Sequence, residues 1–129
     1  KSYPLVIYIL SSIARAKEKF EEKIYTFGKS NIEHIMPQEP KEWGLSKSAV
    51  KDYVNKLGNL TLISKDINSK MGNKPLKEKL EIFKDTKLAI NTELLSKFKQ
   101  LDYVWEEKEI ADRQVDLAEY SYDLVWKIK

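Results

Sequence analysis

The sequence predicts a mostly helical α+β domain in which one short pair of strands is embedded among supporting helices. Three observations carry that prediction. Apolar residues recur at helical spacing at the start of the chain and throughout the part that follows Pro75. Two short segments, residues 31–35 and 60–63, are instead β-compatible and bounded by turn formers. The chain has 129 residues, enough for a single core that buries about two-thirds of the unfolded surface.

In chain order, Ser2 and Pro4 precede an apolar series at Leu5, Ile9, Ile13, Ala16 and Phe20. This reads as a capped amphipathic helix with proline in the first turn, where its missing N–H costs little. Gly28 breaks the pattern, and residues 31–35 form a short strand with His34 at its end, followed by a turn region from Pro37 to Pro40. Ser46 is a good N-cap for a helix through SAVKDYVNKL, which Gly58 stops. LTLI, 60–63, alternates as a second strand should, and is expected to pair with the first. Ser64 then caps a short helix, KDINSKM, ended by Gly72, with Asn68 one turn in.

Pro75 opens a helix whose Leu76, Leu80 and Phe83 share one side, leaving Lys74, Lys77, Lys79 and Lys84 for the rest. Its N-terminal N–H groups are suited to an anion. Asn91 or Thr92 caps a further helix with Leu94, Leu95 and Phe98. A longer one runs from about Trp105 to Ile128, where Ile110, Leu117 and Leu124 beside Ala111, Ala118 and Val125 predict a wide buried stripe. Trp43, Trp105 and Trp126 are read as packing residues rather than nucleobase platforms.

Composition narrows the function. No apolar run approaches the roughly 18 residues of a membrane span, so neither a transmembrane helix nor a membrane partner is expected. Cysteine is absent, which excludes disulfides and thiolate chemistry and makes the cytoplasm the expected location. The first residue is Lys and the chain opens straight into a helical pattern, so a fragment cut from a longer protein is expected. The net charge of +3 hides a gradient, +7 over residues 1–99 and −4 over 100–129. Eight lysines between Lys56 and Lys87, against Asp66, Glu78, Glu81 and Asp85, suit a polyanion.

The chemistry concentrates in residues 31–73. His34 is the only histidine, with Glu33 before it and Pro37 and Gln38 after it; Asn59 follows 25 positions on and Asn68 another nine. Hydrolysing a phosphodiester needs an activated water, a cation that offsets phosphate charge, and groups that hold the parts in line. An imidazole, with an intrinsic pKa of about 6.5, can take a proton from water. Glu33 and the Asn68 side-chain oxygen are hard donors suited to Mg²⁺, Mn²⁺ or another divalent cation. Asn59 fits a bracing role, its amide bonded to backbone so that the loop carrying His34 cannot swing. Adjacent strand residues face opposite sides, so Glu33 and His34 can share a site only where the strand twists or ends. The pattern is read as a metal-dependent nuclease centre.

The runs IEHIMPQ, LGNLTLIS and INSKMGNKPLKEK, with the spaced Trp105, Ile110 and Arg113, resemble the HNH endonuclease domain at the C-terminus of GmrSD-type modification-dependent restriction enzymes. The resemblance covers residues 31–129 and implies a His-Me finger, or ββα-metal, motif over 31–73 with supporting helices over 74–129. It implies His34 as general base, Glu33 and Asn68 as metal ligands and Asn59 as the brace of the hairpin. Lys65, Lys70, Asn73 and Lys74 are the candidate nucleic-acid contacts. Asn68 stands where many members have His, and the zinc-binding cysteines of some relatives are missing.

The same resemblance implies DNA carrying modified bases as substrate, phage defence as the role, and a ParB-like nucleotide-hydrolysing domain as companion. The four glycines, at 28, 44, 58 and 72, are too scattered for a phosphate-binding loop, so nucleotide hydrolysis is not assigned to this chain. Two other readings stay open. One is a non-catalytic nucleic-acid-binding module of the same fold, and the other is a helical interaction domain that uses the acidic C-terminal helix.

Overall fold

A computed structural model describes residues 3–17, 30–64, 67, 71–84, 86 and 88–127. Helix α1, Tyr3–Lys17, leads to strand β1, Ser30–His34. A 3-10 turn, Pro40–Trp43, and the short helix α2, Lys47–Val50, connect through a second 3-10 turn, Leu57–Asn59, to β2, Leu60–Ser64. Three helices complete the chain: α3 (Leu76–Lys84), α4 (Ala89–Gln100) and α5 (Glu107–Lys127). The expected mostly helical α+β class with one pair of short strands is what the chain adopts, and the pair is antiparallel. Among the described residues no helix is long and apolar enough to cross a membrane.

The strands pair in the register Asn31↔Ile63, Ile32↔Leu62, Glu33↔Thr61 and His34↔Leu60. A two-stranded ribbon is marginal by itself and needs packing to persist. Here both faces are covered. Leu60 and Leu62 join Leu10, Ile13 and Ala14 of α1 with Leu88, Ile90 and Leu117 in one cluster. On the other face Ile63 packs with Ile35, Met36, Met71, Phe83, Phe98, Trp105 and Ile110.

The outer edge of β2 is closed by side chains. Arg113 Nη1 donates to Gly58 O and Leu60 O at 2.9 and 2.8 Å, and Asn91 Nδ2 donates to Leu62 O at 2.8 Å. These are every second carbonyl along one side of the strand, so the unpaired row that an edge strand presents is satisfied from α5 and α4. Asn91 also donates to Thr86 Oγ1 and accepts from Thr61 Oγ1, so both of its amide hydrogens are used. Burial lowers the Arg113 guanidinium pKa to about 10, with Glu93 and Asp116 opposing that shift.

Several sequence expectations are corrected. In α1 the buried residues are Leu10, Ser11, Ile13 and Ala14, while Leu5 is 56% exposed, because the face turned to the ribbon is rotated from the one expected. Ser46 caps α2 as expected, accepting from Ala49 N, but the helix ends at Val50 and continues as turns. Asn91 is not a cap, since α4 begins two residues earlier and Asn91 is buried within it. On α5, Ala111 and Ala118 are exposed and Arg113 is buried instead. Ser2, Phe20, Gly28 and Ile128, and the side chains of Leu124, Val125 and Trp126, lie outside what is described.

Candidate active site

The site forms where β1 ends. His34 closes the strand, and Ile35, Met36 and Pro37 immediately beyond it are buried. The half-buried imidazole places Nε2 2.8 Å from Asn55 Oδ1, an oxygen that also accepts from Gln38 Nε2 at 3.0 Å. An amide oxygen can only accept, so Nε2 is the donor of this bond, and in the neutral ring that tautomer makes Nδ1 the basic nitrogen.

Asn59, wholly buried, stands behind this strand end. Its Nδ2 donates to Met36 O at 2.9 Å and Val54 O at 2.8 Å, while Oδ1 accepts from Met36 N at 2.8 Å and Trp105 Nε1 at 3.0 Å. Two donors and two lone pairs are all that a carboxamide has, so its capacity is exhausted. Ile35 N adds a backbone bond to Asn59 O at 2.9 Å. One residue thereby joins the segment after His34, the turns before β2 and the approach to α5.

Glu33 faces the other way, as alternation along a strand requires. The residue is 5% exposed, and its Oε2 accepts from Lys79 Nζ at 2.7 Å. Lys79, with 0% of its side chain exposed, also donates to His34 O at 2.8 Å and Ile35 O at 2.9 Å. Burial pushes the Glu33 carboxyl upward, opposed by the Lys79 charge; burial pushes the Lys79 ammonium downward, opposed by Glu33. Three oxygens around one nitrogen match in number the three hydrogens of an ammonium.

His34 and Asn59 thus meet at one strand end, through Met36. Glu33 lies on the opposite face, engaged with Lys79. Asn68, Lys65 and Lys70 lie outside the described residues. Asn73 is exposed in the turn where Gly72 adopts φ +50°, and Lys74 is half-buried beside it. The Lys74 carbonyl accepts from Trp43 Nε1 at 2.9 Å. Among the described residues, no three His, Asp or Glu side chains gather as a metal would require.

Sequence reasoning gave no role to Asn55 and placed Lys79 on the surface. For Asn55 no local signal separated it from any exposed amide. For Lys79 there was one: Leu76, Lys79, Leu80 and Phe83 follow the i, i+3, i+4, i+7 spacing of a single helix face.

Fold and site together define a mostly helical α+β domain organised around an antiparallel ribbon that presents an imidazole at its end. The chain belongs to the GmrSD restriction endonucleases, C-terminal domain family, whose family model matches residues 1–120. Membership ties it to restriction endonucleases, nucleases whose substrate is DNA. Neither a curated protein nor a solved structure matches the chain.

Proposed function

We propose that the chain is an HNH-type, His-Me finger nuclease module that hydrolyses DNA phosphodiester bonds within a modification-dependent restriction system. The observation that carries this reading is the sole histidine at the end of β1, its Nε2 proton committed to Asn55 Oδ1 and its strand end braced by Asn59. In that tautomer Nδ1 is the basic nitrogen. It takes a proton from water, the resulting hydroxide attacks phosphorus, and the bond to the 3′ oxygen breaks; the departing 3′ oxyanion takes a proton from solvent water, leaving 5′-phosphate and 3′-hydroxyl ends. Asn59 acts on this step through position alone, by fixing Met36 two residues beyond His34.

The reading includes a divalent cation, Mg²⁺ or Mn²⁺, with Glu33 and Asn68 as candidate ligands. When bound, such an ion offsets charge on the phosphate and the departing oxygen. Glu33 as placed fits poorly, because an ammonium 2.7 Å from Oε2 already neutralises it. Holding a metal would require its second oxygen or the loss of Lys79. Lys65, Lys70, Asn73 and Lys74 are proposed as contacts to DNA, modified bases included, and a ParB-like nucleotide-hydrolysing domain as the module's companion.

Plasmid cleavage in Mg²⁺ or Mn²⁺ tests the proposal. His34→Ala is expected to lower the rate about 100- to 10,000-fold, with the melting temperature preserved because the ring is partly exposed. Equal cleavage by both proteins removes His34 from the mechanism. Asn55→Ala, which frees Nε2 from its acceptor at an exposed position, should cost on the order of 10- to 100-fold in kcat. The Glu33–Lys79 pairing favours a second reading, a nucleic-acid-binding module without turnover. It predicts DNA affinity that falls with salt, no cleavage, and no heat of divalent-cation binding in calorimetry.

A further inference from the structure

We propose that Lys79 is a positioning residue for His34, its buried ammonium clamping the end of β1 from the face opposite the imidazole; the inference rests on the reading of His34 as the base. All three of its hydrogens are directed at consecutive residues of one short segment: Glu33 Oε2 at 2.7 Å, His34 O at 2.8 Å and Ile35 O at 2.9 Å. The Trp43 ring lies on a further side, its centroid 6.0 Å from Nζ. The backbone of His34 is therefore held through its own carbonyl and through the residues on either side of it.

Stability alone is a poor explanation for this arrangement. Lysine is seldom wholly buried, and a buried ion pair is often no more stabilising than apolar residues of similar volume. What an apolar pair lacks is direction. Three short bonds from one nitrogen fix where the strand stops and how the next peptide turns, and so fix the point from which the imidazole projects. Asn59 holds Met36 on the same segment, so the two side chains secure four consecutive residues from separate elements, α3 and the turn before β2. Lys79 does not need to approach DNA to affect cleavage, because small misplacements of a base are costly.

The test uses Lys79→Met in the whole chain, with Lys99→Met, an exposed lysine of α4, as control. The chain has one histidine, so imidazole NMR signals report His34 alone. The expected result for Lys79→Met is a folded protein with displaced His34 signals, kcat lowered about 10- to 100-fold and KM within about twofold of wild type. Lys99→Met should change none of these. A folded Lys79→Met with wild-type signals and wild-type kcat overturns the proposal, whatever its melting temperature.

If wild type does not cleave DNA, the nuclease reading has failed, and the NMR comparison still decides the clamp: displaced signals support it and unchanged signals overturn it. If Lys79→Met does not fold, the double variant Glu33→Leu with Lys79→Met removes the buried charge altogether, and the same NMR comparison applies. Wild-type His34 signals in that folded double variant also overturn the proposal.

Discussion

Gly58→Ala is expected to destabilise the protein by several kcal/mol, a large part of its total stability. A Cβ built on Gly58 would lie 2.0 Å from Ile110 O, 2.8 Å from Gln114 N and 3.1 Å from Ile110 C. All three are backbone atoms of α5, so no rotamer change relieves the overlap and the helix itself must move. Overpacking usually costs about 1–3 kcal/mol when side chains can give way, and here the yielding part is a helix backbone. Moving α5 also strains Gly58 N to Gln114 Oε1, at 2.6 Å, and the two Arg113 bonds to Gly58 O and Leu60 O. The expected loss is therefore several kcal/mol, against a typical total of about 5–15 kcal/mol. Urea unfolding followed by circular dichroism measures it. A midpoint unchanged from wild type would mean that α5 does not pack against Gly58 as described.

Asn59→Ala is expected to have a comparable effect for a different reason. The substitution leaves Met36 N, Met36 O, Val54 O and Trp105 Nε1 without their buried partner. Each such group costs about 1–3 kcal/mol when water cannot replace the bond. The contributions are not additive, since the cavity can admit water, but a loss above about 4 kcal/mol is expected. Cleavage should fall with folding, whereas His34→Ala should impair cleavage and leave folding intact. If thermal melting shows Asn59→Ala close to wild type and His34→Ala strongly destabilised, the bracing and catalytic roles have been exchanged. Asn59→Asp separates shape from donor chemistry: it retains an acceptor for Met36 N and Trp105 Nε1 but turns a carboxylate oxygen toward two carbonyls, so it too should be destabilised near neutral pH.

The glycine and the asparagine also show how differently a sequence reveals its residues. Gly58 was legible as a stop between a helix and a strand, the right place for the wrong reason. It is not among the residues with positive φ, and the need for glycine comes from a helix 52 positions away touching its Cα. Asn59 was legible as a brace because an asparagine between Gly58 and a strand, at a set distance from a histidine before proline, suggested an amide bonded to backbone. Its partners Val54 and Trp105 were not, since hydrogen-bond acceptors are chosen by proximity in space.

The sequence by itself determined the two strands, their pairing, His34 at the end of the first, and the buried apolar positions Leu76, Phe83, Leu94, Phe98, Ile110 and Leu117 of the later helices. Those features follow from local periodicity, capping and turn chemistry, which act over a few residues and leave a readable trace. Only the tertiary structure decided which polar residues would be interior. Lys79, Asn91 and Arg113 all sit on helix faces alongside buried apolar neighbours, and spacing alone would have turned them inward, but residue type argued for the surface. Each is buried because the ribbon offers it bare backbone carbonyls, or the Glu33 carboxylate, at hydrogen-bonding distance. That compensation exists only once the helices have docked, so no stretch of the chain can announce it in advance.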